Sequence, residues 1–181
     1  MNIRQIIRQK RRQLSSTERN IAQQTIYQQI FHHQAINTAK NIAIFLSFDG
    51  EVETTPIIEY LWQQNKSVYL PIIHPFVSTH LLFLKYTSQT QLIKNKFGIF
   101  EPKLNVLDVL PNNQLDIVFT PLVAFDQRGY RMGMGGGFYD RLLANYQTKK
   151  ILPIGLAFAC QKVQHIDNKP WDIKLPEIIY A

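Results

Sequence analysis

Apolar residues at Ile3, Ile6, Ile7 and Leu14 repeat at helical spacing and predict a helix over residues 3–14, with Arg4, Arg8 and Arg11 close together on another side. Ser15 and Glu18 form the pattern of a capping box, so a second helix is expected to start there and run to about His32. The period then changes. Residues 41–47 are a β-branched and aromatic run that reads as a buried strand. Thr55-Pro56 follows as an N-cap and first helical position, opening a helix to about Gln64. Residues 68–73 and 81–86 read as strands around a turn, residues 102–113 as irregular, and residues 116–120 as another buried strand. A glycine-rich stretch, a helix to about Tyr146 and a strand over 151–158 complete the pattern.

Strands alternating with helices predict an α/β fold, with a mainly parallel central sheet flanked by helices in a Rossmann-like arrangement. No internal repeat or low-complexity linker divides the chain, so residues 1–181 are expected to form a single domain. In such sheets ligands sit beyond the carboxyl ends of the strands, which makes the loops after Leu46 and after Phe125 candidates for one shared site.

The chain has 181 residues, 45% of them hydrophobic, enough for one sizeable core. Its net charge of +7 favours an anionic partner but does not choose among nucleotide, polyacid, nucleic acid and membrane surface. A single cysteine, Cys160, excludes an intramolecular disulfide and suits a reducing compartment; after the apolar run Leu156-Ala-Phe-Ala it reads as a core residue. The N-terminus alternates Ile and Arg without a continuous apolar segment, so no signal peptide is expected. Residues 67–84 lack charges, yet Pro71, Pro75, His74 and His80 interrupt them, which speaks against a membrane span. A cytoplasmic location is the expectation.

The densest chemistry lies between Arg128 and Arg141. Gly133, Gly135, Gly136 and Gly137 put four glycines in five positions, half of the eight in the chain. Glycine lets backbone N–H groups converge on an anion, and a helix that follows would add its positive dipole end. Arg131 before the loop and Arg141 after it supply matching charge. A flexible surface turn needs neither the arginines nor the Phe138-Tyr-Asp140 that follows. The pattern is neither a P-loop, which requires Lys-Ser/Thr after the last glycine, nor a good dinucleotide fingerprint, so nicotinamide and flavin cofactors are disfavoured.

Other candidates are weaker taken alone. Arg4 and Arg8, one helical turn apart, could clamp nucleotide phosphates or form a solvated basic face, and spacing alone favours the second. Asp49, Glu51 and Glu53 follow the first strand and are as readily a polar loop as a site. Asp140 could simply favour a helix N-terminus through the dipole, but beside a phosphate loop a carboxylate is also the natural magnesium ligand, and Asp172 could be a second, although Pro-x-Asp is equally a turn. The five histidines show no metal spacing, which disfavours zinc.

Arg131-Met-Gly-Met-Gly-Gly-Gly-Phe-Tyr-Asp140 resembles the signature of the 5-formyltetrahydrofolate cyclo-ligase family, also called methenyltetrahydrofolate synthetase. The resemblance extends through the N-terminal basic helix, Phe45-Leu-Ser-Phe-Asp-Gly-Glu-Val-Glu-Thr54, Phe119-Thr-Pro121 with Ala124-Phe-Asp126, and Pro170-Trp-Asp172, in family order over nearly the whole chain. Residues 43–62 and 97–140 are most similar to proteobacterial members. Phe138 stands where a tyrosine is common, Trp171 where many members have histidine, and the chain stops soon after Leu175.

The resemblance implies an ATP-dependent cyclisation of 5-formyltetrahydrofolate to 5,10-methenyltetrahydrofolate with release of ADP and phosphate, through a phosphorylated formyl group. It implies ATP binding by Arg4, Arg8 and the stretch Arg131, Gly133, Met134, Gly135, Gly136, Gly137, Phe138, Tyr139, Asp140 and Arg141. Leu46 and Glu51 would contact the folate, and Asp140 with Asp172 would hold Mg2+. Tyr139 and Arg131 would be the catalytic pair, with Tyr139 near the reacting formyl group. The expected partners are these small molecules, with no nucleic acid or membrane, and the expected state is a monomer.

Two other classes fit parts of the chain. A sugar-phosphate isomerase of similar architecture would share a phosphate loop but need neither ATP nor magnesium. A non-catalytic nucleic-acid binder would explain the charge, but aromatics for base stacking are not interleaved with the basic helix.

Overall fold

The computed structural model of the chain describes residues 2–95 and 98–181. Helix α1 (Ile3–Gln13) begins at Asn2, whose side chain accepts the Arg4 amide, with Gln5 completing the capping box. It buries Ile7 and Arg11, while Ile3 and Ile6 stay over a third exposed, so Arg11 belongs to the packed side and not to the basic face expected for it. Helix α2 (Ser16–Phe31) starts at the expected Ser15–Glu18 capping box and buries Ile26, Tyr27 and Ile30. A short α3 (Gln34–Thr38) leads into β1 (Asn41–Ala43), followed by α4 (Thr55–Gln63).

Then come β2 (Ser67–Ile73), β3 (Leu81–Tyr86), the β4 (Leu92–Lys94) and β5 (Phe100–Pro102) hairpin, β6 (Val109–Leu110) and β7 (Ile117–Pro121). A second hairpin joins β8 (Ala124–Phe125) to β9 (Arg131–Met132); α5 (Phe138–Leu143), β10 (Leu152–Ala157) and β11 (Glu177–Tyr180) close the chain.

Seven strands form the central sheet in the order β11-β10-β7-β1-β2-β3-β6. All pairings from β11 to β2 are parallel, and β3 and β6 are added antiparallel at one edge. The mainly parallel α/β architecture expected from the alternation is therefore present. Successive residues of β7 show why the run is apolar throughout. Ile117 and Phe119 face the core under α2 and α4, whereas Val118 faces the core under α5, so both sides of the strand are covered. Among the described residues no helix is long and apolar enough to cross a membrane.

Several elements differ from the expectations in ways that matter for the site. The first strand ends at Ala43 rather than residue 47, although Ile44 still donates its amide to the Tyr69 carbonyl at 3.0 Å. Thr54 draws the chain out of the sheet: its hydroxyl donates to the Phe45 carbonyl at 2.8 Å and accepts the Ser47 amide at 3.2 Å. Thr54, not Thr55, is the N-cap residue of α4, and it makes no capping bond because its oxygen is engaged in that loop. Helix α5 stops at Leu143, short of Tyr146, where Asn145 takes the left-handed backbone that ends helices. The supposedly irregular segment 102–113 contains the edge strand β6, and β11 was not expected at all.

Candidate active site

The loops at the carboxyl ends of β1 and β7 border one cleft of about 1430 Å³. Its lining includes Phe45, Leu46, Phe48 and Glu51 from the loop after β1 and the segment from Arg131 to Arg141. Pro121, Leu122, Val123 and Asp172 line it as well. The two loops singled out from the sequence thus share a site.

Each expected residue can be placed. Arg4 reaches the cleft from α1, and its Nε donates to the Gly133 carbonyl at 2.9 Å. Leu46, Glu51, Arg131, Gly133, Met134, Gly135, Gly136, Gly137, Phe138, Tyr139, Asp140, Arg141 and Asp172 all line it. Arg8 does not: its Nε donates to Asp49 Oδ2 at 2.6 Å, and that pairing raises its pKa further.

Arg131 is positioned by the β8–β9 hairpin. The hairpin turns on the buried Asp126, whose carboxylate accepts the amides of Arg128, Tyr130 and Ile166 at 3.0, 3.2 and 3.1 Å and an ion pair from Arg128. Burial alone would raise the Asp126 pKa, but these donors hold it below the usual carboxylate range. From this base the Arg131 side chain, 3% exposed, donates to Asp140 Oδ1 at 2.9 Å and to the Ile173 carbonyl at 3.2 Å.

The glycine loop has two kinds of position. A Cβ placed on Gly133 or Gly135 would meet no protein atom within 4 Å, so the room these residues leave is open space at the cleft. Gly136 is different, since a Cβ there would lie 2.6 Å from Phe138 Cε2. Gly137, at φ 63, begins α5 without a side-chain cap. With six residues α5 carries little dipole, so any anion held here would rely on the loop amides and arginines rather than on the helix. Arg141 lies over the Phe138 ring, pairs with the Gly136 carbonyl and donates to the Thr79 carbonyl at 2.8 Å, which ties the loop to the β2–β3 turn.

Burial dominates the titration of two cleft residues. The Glu51 carboxyl is pushed up to about 7 by desolvation, against the opposing pull of Arg11 and the Phe48 amide. In its protonated form it can present one donor and one acceptor. Burial, and after it the charge of Glu51, raises Tyr139 well above the ordinary phenol value, so its hydroxyl keeps its proton.

The donor set at Asp140 and Asp172 fits magnesium. Asp140 Oδ1 accepts from Arg131 and from the Ile173 amide, and Asp172 Oδ2 accepts from the Lys169 amide at 2.7 Å. The second oxygen of each has no protein partner among the described residues. Those residues hold no cluster of three or more His, Cys, Asp or Glu able to bind a metal. The oxygens that Asp140 and Asp172 leave open suit an ion that takes one or two carboxylates and completes its shell with water and phosphate oxygens.

The sequence reading missed the grip of Arg11 and Arg12 on Asp49 and the aromatic lining from Phe48, Phe100 and Trp171. A signal for the first was available: Arg11 lies four residues from Ile7, on the same helix face, and Asp49-Gly50 is a pair suited to left-handed backbone.

Known proteins resemble the chain over most of its length. A 5-formyltetrahydrofolate cyclo-ligase of Haemophilus influenzae is 51% identical over 98% of this chain and 95% of its own length. That of Escherichia coli K12 is 48% identical over 96% of each, and the mouse protein of the same name 31% identical over 98% of this chain. Among solved structures, the 5,10-methenyltetrahydrofolate synthetase of Aquifex aeolicus superposes with a TM-score of 0.82 at 28% identity, over 98% of this chain and 87% of that one. The Mycoplasma pneumoniae synthetase does so with a TM-score of 0.76 at 28% identity, over 97% and 94%. With the family profile matching residues 1–181 from end to end, the chain belongs to the 5-formyltetrahydrofolate cyclo-ligase family of ligases.

Proposed function

We propose that residues 1–181 form one cyclo-ligase domain that uses ATP and Mg2+ to convert 5-formyltetrahydrofolate to 5,10-methenyltetrahydrofolate, releasing ADP and phosphate. The observation that carries this reading is one cleft lined both by the glycine loop with Arg131 and Arg141 and by Leu46 and Glu51. A cleft of about 1430 Å³ has room for a nucleotide and a folate together.

The chemistry explains the need for ATP. A formyl oxygen is a very poor leaving group. Transfer of the γ-phosphoryl group to that oxygen gives an imidate phosphate. The neighbouring anilinic nitrogen then attacks the formyl carbon and loses its proton, and phosphate departs with the oxygen to leave the conjugated bridge. Such a reaction asks for positioning and charge stabilisation rather than a nucleophilic side chain.

The residues have matching roles in this reading. Arg4, Arg8, Arg131, Arg141 and the amides of residues 133–137 bind the triphosphate, each charge-assisted contact contributing ~1.5–3 kcal/mol. Contacts that strengthen as phosphoryl charge develops raise the rate as well as the affinity. Met134 and Phe138 flank the nucleotide. Tyr139, protonated, donates to the reacting formyl oxygen, and Arg131 neutralises charge beside it. Leu46 and Glu51 hold the folate. Asp140 and Asp172 would hold Mg2+, which supplies positive charge to the phosphates.

Arg8 binds ATP in this reading only by sharing its guanidinium with Asp49. The protein acts as a monomer on small molecules in the cytoplasm, consistent with its lone, half-buried Cys160. The test is ADP release that depends on 5-formyltetrahydrofolate. ATP hydrolysis indifferent to the folate would reject the assignment.

A further inference from the structure

An arginine cluster, of which the proposed chemistry uses only Arg8, holds the loop after β1. Asp49 has left-handed backbone (φ 54), which aspartate adopts more readily than most non-glycine residues and which its surroundings here hold in place, and Gly50 follows at φ 76. The surroundings are three arginines of α1. Arg8 and Arg11 donate to Asp49 Oδ2 at 2.6 and 3.1 Å, and Arg12 pairs with Oδ1. Burial alone would raise the Asp49 carboxyl, but the hydrogen bonds and charges of Arg8 and Arg12 together hold it below its ordinary range.

Arg11 is the centre of the cluster. At 1% exposure it is among the largest fully buried side chains of the protein. Its Nη2 and Nε donate to the Asp49 carbonyl at 2.8 and 3.2 Å, and its Nη1 reaches the Leu122 carbonyl at 3.4 Å and lies 3.9 Å from Glu51 Oε1. A buried guanidinium is tolerated only where acceptors surround it. Here they come from the loop after β1 and from the end of β7, both of which border the cleft.

Glu51 depends on the same turn. Its amide donates to the Phe48 carbonyl at 3.1 Å, and its Oε2 accepts the Phe48 amide at 3.1 Å, so the turn through Asp49 and Gly50 sets where its carboxyl stands.

We propose that Asp49, gripped by Arg11 and Arg12, is a positioning residue that places the Glu51 carboxyl in the folate half of the cleft. This rests on the assignment of Glu51 to the folate in the preceding section. Helix α1 thereby serves both halves: Arg4 holds the glycine loop at Gly133, and the arginines farther along hold the loop that carries Glu51. A further consequence concerns Arg8, which is released from Asp49 when the carboxylate is neutralised.

The test is steady-state kinetics of Asp49→Asn, Glu51→Ala and the double variant, with KM for 5-formyltetrahydrofolate and for ATP measured separately. Asparagine keeps the volume and tolerates left-handed backbone, so the turn is spared. The expected result is a folate KM raised roughly 10-fold in Asp49→Asn, the loss of about one charge-assisted contact. The ATP KM is expected to be unchanged or lower, and the double variant no worse than Glu51→Ala alone.

An unchanged folate KM in Asp49→Asn, a parallel rise of both KM values, or additive effects in the double variant would overturn the inference. If Glu51→Ala itself leaves the folate KM unchanged, the assignment of Glu51 fails first and the inference with it. Should Asp49→Asn not fold, Arg12→Gln removes one grip from an exposed side chain. It must raise the folate KM in the same selective way, and equality with the wild type would overturn the proposal.

Discussion

Arg131 and Asp140 are joined through Nη1 and Oδ1 at 2.9 Å, and the Ile173 amide reaches that same oxygen at 3.1 Å. One carboxylate oxygen is thus spent on holding Arg131 and the segment after Asp172. The other is left for the cleft. This division fits a residue that orders the site and binds a metal at once.

Asp140→Ala is expected to abolish ATP-driven turnover while the protein remains folded, with a stability loss of about 1–3 kcal/mol from the buried Arg131 left unpaired. Circular dichroism and a turnover assay across a magnesium titration check this. Full activity in the variant would remove Asp140 from the metal site.

Glu51 makes a pH-dependent contribution whose sign follows from its raised pKa of about 7, against an ordinary 4.5. The folded state holds the proton more tightly than the unfolded state. The stabilisation is therefore fully present below the ordinary value and is lost as pH rises through about 7. Glu51→Gln should melt a few degrees above the wild type at alkaline pH, with the gap closing toward mildly acidic pH. Melting curves that run parallel across this window would contradict the burial account.

Arg8→Ala is expected to raise the ATP KM, by roughly 10-fold if one charge-assisted phosphate contact is lost. An unchanged ATP KM would leave Arg8 as a partner of Asp49 alone.

Gly136→Ala would press a methyl group against the Phe138 ring, 2.6 Å from Cε2. The exposed loop should absorb this with little change in stability, but the displaced ring and loop amides should weaken ATP binding. Isothermal titration separates the two effects. Gly129→Ala should do the opposite, since φ +90 is strained for alanine and its Cβ would run into the Leu175 carbonyl. A loss of about 1–3 kcal/mol from the backbone alone is expected in urea unfolding.

Much of this protein is legible in its sequence because local signals and tertiary demands agree. The Ser15–Glu18 box starts α2 where it should, and the apolar run of β7 is continuous because both faces of the sheet are covered. The glycine loop could be located from composition and its flanking arginines. What could not be read depends on contacts between distant segments. Arg11 looks like one more surface cation until Asp49 and Leu122, 38 and 111 residues away, are brought around it. Likewise β11 is a strand because β10 offers it an edge, and β1 is short because Thr54 captures Phe45 and Ser47.

The central claim is that one cleft joins a phosphate-binding loop to a folate site, and it is most directly tested by following the absorbance of the conjugated methenyl bridge on mixing the protein with 5-formyltetrahydrofolate. A rise that requires both ATP and Mg2+ is the predicted result. No rise, from folded protein that still binds ATP, would contradict the account by separating the phosphate loop from the folate chemistry assigned to it.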